Sequence, residues 1–155
     1  MFEKQTKSIY INGEWREIDP AKVEKIYNPA TLEVITEVAY GGKEEAEEAI
    51  EAASEAFKHW SQLTGRERSK ILYKAHELMT ENADRLATIL TTEQGKPFAE
   101  AKGEVLSGAG FLLWYAEEAS RNYGEWIPSS NKQKRLLVVS QPVGVVGAIT
   151  PWNFP

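Results

Sequence analysis

The stretch KEEAEEAIEAASEAFKHW, residues 43–60, does most to narrow what this chain can fold into. Ala46, Ala49, Ile50, Ala53, Ala56, Phe57 and Trp60 recur with a 3.6-residue period, which predicts an amphipathic helix. Glu44, Glu45, Glu47 and Glu48 stand at its start, where the helix dipole favours negative charge. Glu44, Glu48, Glu51 and Glu55 fall on the side opposite the apolar stripe, and a water-facing surface explains them better than a metal site. More helices follow. Thr64 and Glu67 have the spacing of a capping box ahead of Ile71, Leu72, Ala75, Leu78 and Met79. Asn82 either ends that helix or caps the next, which carries Leu86, Ile89 and Leu90 and stops at Gly95. From Pro97 a long helix is predicted to about Tyr123, just before Gly124. It contains Gly103, Gly108 and Gly110, each unfavourable by about 1 kcal/mol relative to alanine. Close approach of another backbone and a bulky partner lying over the helix are both compatible with them.

On either side of this helical block the pattern is that of strands. In SIYINGEWRE, Asn12-Gly13 supplies the positive φ angles of a tight type I′ hairpin. A second hairpin is expected at Asn28-Pro29-Ala30-Thr31, with Leu32, Val34, Thr36 and Val38 on one face of the following strand. After Gly124, KRLLVVSQ alternates weakly, PVG bends the chain, and VVGAIT is a short apolar run. Its β-branched content and flanking glycine and proline favour a strand buried on both faces, although periodicity alone does not separate that from a helical segment.

Composition excludes several classes of function. The 155 residues carry a net charge of −5, with no basic stripe, which argues against nucleic acid and anionic membrane as partners. Apolar runs are far shorter than a bilayer span, and MFEKQTKSIY lacks the apolar core of a signal peptide, so a cytoplasmic location is expected. There is no cysteine, hence no disulfide, thiolate metal site or thiol nucleophile among these residues. The two histidines, His59 and His76, both lie in helical patterns and read as surface or half-buried helix residues, so no metal site is expected.

The sequence closes on ITPWNFP, in which Pro151 and Pro155 restrict the residues before them. An apolar strand running into a rigid loop is a plausible wall for a cofactor, because ligands of open α/β sheets bind beyond the carboxyl ends of strands. The Asn153 amide can donate two hydrogen bonds without carrying charge, and one such donor aimed at a developing alkoxide is worth roughly 3 kcal/mol. Asparagines in loops also bond their own backbone, and the residues alone leave both roles open.

QPVGVVGAITPWNFP, Gln141 to Pro155, resembles the signature stretch of the NAD(P)-dependent aldehyde dehydrogenases. The resemblance extends upstream through INGEW, NPATLEVI, EQGKP and FLLWYAEEA, and is closest to the succinate-semialdehyde branch. It implies an α/β fold of which these residues are the N-terminal part, incomplete by themselves. Residues 1–124 would be β-hairpins plus helices of the cofactor-binding domain. Residues 125–144 would hold the oligomerisation hairpin, and 145–155 the first strand of a Rossmann-like sheet with its Pro-Trp-Asn-Phe-Pro loop. The resemblance further implies that Asn153 helps form an oxyanion hole and that Ile149, Thr150, Pro151, Trp152 and Asn153 line a cleft for NAD or NADP. Phe154 would border the tunnel for a small aldehyde.

In that family a cysteine attacks the aldehyde, hydride passes to the nicotinamide cofactor, and a glutamate-activated water releases the acid. This sequence departs from the pattern by lacking the cysteine, the glycine-rich cofactor turn and the general-base glutamate in its usual context. It is therefore expected to be inactive alone, part of an oxidoreductase that is a homo-oligomer when complete. Without adjoining strands VVGAIT has unpaired edges, and a marginal or self-associating chain is expected. The alternative is a non-catalytic module that pairs with full-length subunits.

Overall fold

A computed structural model describes residues 8–19 and 22–155. The reading of the amino terminus as lacking an apolar leader falls mainly on residues 1–7, outside the described residues. Among the described residues no helix is long and apolar enough to cross a membrane.

Strands β1 (Ser8–Ile11) and β2 (Glu14–Glu17) form the first hairpin, with Ile11 opposite Glu14 and Tyr10 opposite Trp15. Asn12 and Gly13 take φ of 54° and 82°, the turn that Asn-Gly predicts. The Tyr10 and Trp15 rings stack at a tilt, 5.1 Å apart, a cross-strand pair on one face.

Strands β3 (Val23–Tyr27) and β4 (Val34–Ala39) form the second antiparallel pair. Its connection differs from the expected four-residue turn. The Asn28 side chain accepts from the Ala30 N–H at 2.9 Å, and the Leu32 N–H returns to the Asn28 carbonyl at 2.8 Å. Leu32, expected on the face of the strand, is a loop residue at φ 61°, and the strand begins at Val34. The Asx turn anchored by Asn28 carries the chain past Pro29 before pairing resumes.

The helices are α1 (Lys43–Trp60), α2 (Gly65–Glu81), α3 (Ala83–Gln94) and α4 (Phe98–Glu118). The capping box of α2 forms as read: Thr64 Oγ1 accepts from the Glu67 N–H at 3.3 Å, and Glu67 accepts from the Thr64 N–H at 2.7 Å. Gly95 ends α3 in the left-handed conformation, φ 76°. Helix α4 stops five residues earlier than the predicted Tyr123 and is followed by a turn in which Arg121 pairs with Glu118.

The core lies where α2, α3 and α4 meet and is built from small side chains, chiefly Ala83, Ala87, Leu90, Ala101, Val105, Ala109 and Ala116. Such residues let helices approach closely. At Gly108 an added Cβ would stand 3.1 Å from Met79 Cε of α2, whereas Gly103 and Gly110 face open space. A side chain of α2, and not another backbone, thus lies against one of the three glycines.

Helix α1 corrects an expectation. Its apolar stripe is largely exposed and none of its residues is buried. Glu44, Glu48, Glu51 and Glu55 are exposed, as read, and this acidic side is also the one turned toward the hairpins. Arg16 of β2 pairs with Glu48, and Lys22 with Glu45 at 2.7 Å. Glu48, Glu51 and Glu55 border a shallow groove of about 500 Å³ against the first hairpin. Opposite charges on the hairpins hold this face, while of the stripe only Phe57 is half-buried.

Strands β5 (Glu125–Ile127) and β6 (Leu136–Val138) make a third antiparallel pair within residues 125–144. The apolar run from Val145 to Thr150 forms no regular strand, contrary to expectation. The three two-stranded sheets of the described residues are separate, and none pairs with it. A strand needs a ladder partner to satisfy its backbone, and here the run lies exposed.

Candidate functional site

The left-handed Gly95 turns the chain between α3 and α4, and Pro97, with φ fixed by its ring, starts the next helix. A Cβ on Gly95 would come within 3.0 Å of Pro29 Cγ, so the loop of the second hairpin rests against this turn. Beside it the terminal loop bends at Trp152 and Asn153.

Trp152 and Asn153 line an open cleft of about 450 Å³ together with Gln94, Gly95, Lys96, Pro97 and Glu100. That volume falls in the range of small-molecule sites, about 300–1,000 Å³. Asn153 is exposed, and its neutral amide offers donors and an acceptor beside an indole wall. Phe154 lies outside the cleft lining, with its ring 4.6 Å from the Lys96 ammonium. Lys96 also forms an ion pair with Glu104, nearly two turns into α4, with both side chains mostly buried. The other Glu104 oxygen, Oε1, is buried without a partner. Phe154 has φ 53°, a left-handed conformation that costs about 1–2 kcal/mol in a residue with a Cβ.

The expected site residues therefore divide. Trp152 and Asn153 meet at the cleft, and Phe154 packs beside it over Lys96. Ile149 is fully exposed, and Thr150 and Pro151 are exposed too; none of the three lines the cleft. They would need a strand to carry them inward, and the run preceding Pro151 has no partner strand.

Sequence reasoning missed Lys96 and Glu104. A signal existed for Glu104: it shares the inward stripe of α4 with Ala101, Val105 and Ala109, an unusual place for a charge. Lys96 at a helix start looks like an ordinary solvated cation until its buried partner is known. Among the described residues no group of His, Asp or Glu is placed to hold a metal ion. The cleft offers binding groups and a hydrogen-bond donor but no thiol nucleophile.

Comparison with known proteins agrees with the fold. Residues 15–155 match the aldehyde dehydrogenase family. The chain is 55% identical over 146 residues to a glutarate-semialdehyde dehydrogenase of Pseudomonas putida, covering 94% of this chain and 30% of that protein. It is 47% identical over 145 residues to a succinate-semialdehyde dehydrogenase [NADP(+)] of Escherichia coli, with the same coverage of 94% and 30%. It superposes with a TM-score of 0.92 on an aldehyde dehydrogenase from Brucella melitensis biovar abortus 2308, at 46% identity, covering 96% of this chain and 31% of that one. The chain thus spans about 30% of the length of the curated relatives it matches.

Proposed function

The chain belongs to the aldehyde dehydrogenase family, and we propose that its terminal loop forms one wall of a site that oxidises a semialdehyde, succinate semialdehyde first among them, to the carboxylic acid. The observation that carries this reading is the meeting of Trp152 and Asn153 with the Gly95–Pro97 turn around one cleft. Names of relatives that act on succinate and glutarate semialdehydes support the substrate class.

Asn153 is the catalytic residue of this segment. When a nucleophile adds to the aldehyde carbon, the carbonyl oxygen becomes an alkoxide, and the amide N–H donates to it. A donor of this kind is worth about 3 kcal/mol in the transition state, because it is aimed before the charge appears. As a neutral group it makes the contact without first having to shed a proton. Phe154 borders the path of the aldehyde and keeps water from that side.

NAD or NADP, when bound, supplies the acceptor for the hydride leaving the aldehyde carbon. The cleft fits part of such a ligand: it is open, apolar on the indole side and polar at Asn153 and Glu100. Trp152 and Asn153 would hold it, joined by Ile149, Thr150 and Pro151 once their run is paired as a strand. The 155 residues hold no cysteine, so on this reading the nucleophile comes from sequence corresponding to the rest of the relatives, as does the general-base glutamate, whose usual context these residues lack. The chain alone is inactive on this reading, and the complete enzyme is a cytoplasmic homo-oligomer. A second reading, a module that binds full-length subunits, is favoured by the β5–β6 hairpin, all of whose strand residues are exposed.

The test joins residues 1–155 to the remainder of the E. coli relative and assays the chimera with succinate semialdehyde and each nicotinamide cofactor. The chimera is expected to turn over and the isolated chain not to. An inactive but folded chimera, or turnover by the isolated chain, would overturn the reading.

A further inference from the structure

We propose that Lys96 is a positioning residue: braced by Glu104, it clamps the Phe154 ring and so sets where the neighbouring Asn153 amide points. The inference rests on the function proposed above only for its catalytic consequence; the clamp itself stands on geometry.

Three observations converge on it. The Lys96 ammonium lies 4.6 Å from the centre of the Phe154 ring, within cation–π range. Its position is fixed from below, because the Lys96 and Glu104 side chains are only 17% and 8% exposed and are paired with each other. Phe154 carries a positive φ that is unfavourable for it, so its conformation needs an outside hold. Few other holds are available, since the residue is 65% exposed. Glu104 is charged on an otherwise apolar helix stripe, and one of its oxygens has no partner. A buried carboxylate so placed is explained if it serves to aim a cation.

The chain itself can be tested by labelling its lysines with an amine acylating reagent and reading the rate at each one by mass spectrometry in dilute solution. Phe154→Leu should raise the rate at Lys96 about fivefold, as expected for loss of a contact of this type, and leave Lys102 unchanged. An ion pair that acts by itself would give the same Lys96 rate with and without the ring, and that result would overturn the clamp. In the chimera, Lys96→Met should lower kcat about tenfold with KM little changed, and Lys96→Arg, which keeps the cation, should recover most of it. Equal losses in Lys96→Met and Lys96→Arg would mean that Lys96 only stabilises the fold, and would also overturn the proposal. An inactive parent chimera would defeat the functional reading while leaving the labelling result to decide the clamp.

Discussion

His76 in α2 donates its Nδ1 proton to the carbonyl of Ala109 in α4 across 2.8 Å. A carbonyl only accepts, so the bond assigns the proton to Nδ1. It joins the two helices that share the most extensive helix–helix contact of the described residues. His76→Leu keeps bulk while removing the donor, and should lower stability by about 1 kcal/mol in urea titration. An unchanged midpoint would mean that the bond adds nothing beyond what water supplies.

The glycines make opposed predictions. Gly103 faces open space inside α4, so Gly103→Ala should stabilise by about 0.5–1 kcal/mol through helix propensity. At Gly65, a Cβ would stand 2.1 Å from the Ala119 carbonyl oxygen, where the start of α2 meets the end of α4. Gly65→Ala should destabilise by about 1–3 kcal/mol, because backbone and not a side-chain tip must yield. Thermal melts of the two variants should move in opposite directions.

These contacts mark the boundary of what the sequence discloses. Asn12-Gly13, the Thr64–Glu67 box and Gly95 are local devices, each complete within a few residues, and all three form as read. Leu32 was misplaced because the Asx turn of Asn28 lengthens the loop, a choice that alternation alone does not reveal. The apolar stripe of α1 was legible, but which side of that helix is covered depends on Arg16 and Lys22, from distant segments. At the site, the Pro-Trp-Asn-Phe-Pro loop stood out by its composition. Lys96 and Glu104 did not, since their meaning lies in contact with each other and with Phe154. The run at Val145–Thr150 has strand composition, but a strand is a property of a pair.

Acid should loosen the attachment of α1. Lys22 bonds the Glu45 carboxylate and the Gly42 N–H donates to it, holding its pKa at about 2 against an ordinary 4.5. A depressed carboxylate contributes stability that is present above its unfolded pKa and lost as pH falls through the folded value. The urea midpoint should therefore decline between about pH 4.5 and pH 2, and Glu45→Gln should flatten that decline. Parallel curves for the two proteins would remove Glu45 from the explanation.

The exposed apolar surface predicts association. On α4, Phe111, Trp114 and Tyr115 are each more than 60% exposed, and Ile50 and Trp60 of α1 are also open to solvent. Contiguous surface of this kind marks an interface or an aggregation risk. In sedimentation velocity the 155-residue chain should form concentration-dependent oligomers, and Phe111→Ser with Trp114→Ser should shift it toward monomer. A chain that stays monomeric at high concentration would show that these faces need no cover.

The central claim is that Asn153 stabilises charge that develops on the aldehyde oxygen. Its most direct test is kcat for succinate semialdehyde in the chimera with Asn153→Ala. The account predicts a fall of about 10²–10³-fold in kcat with KM changed little, because the donor acts on the transition state and hardly on the bound aldehyde. A variant that keeps its kcat and loses only KM would contradict it, and would make Asn153 a binding residue.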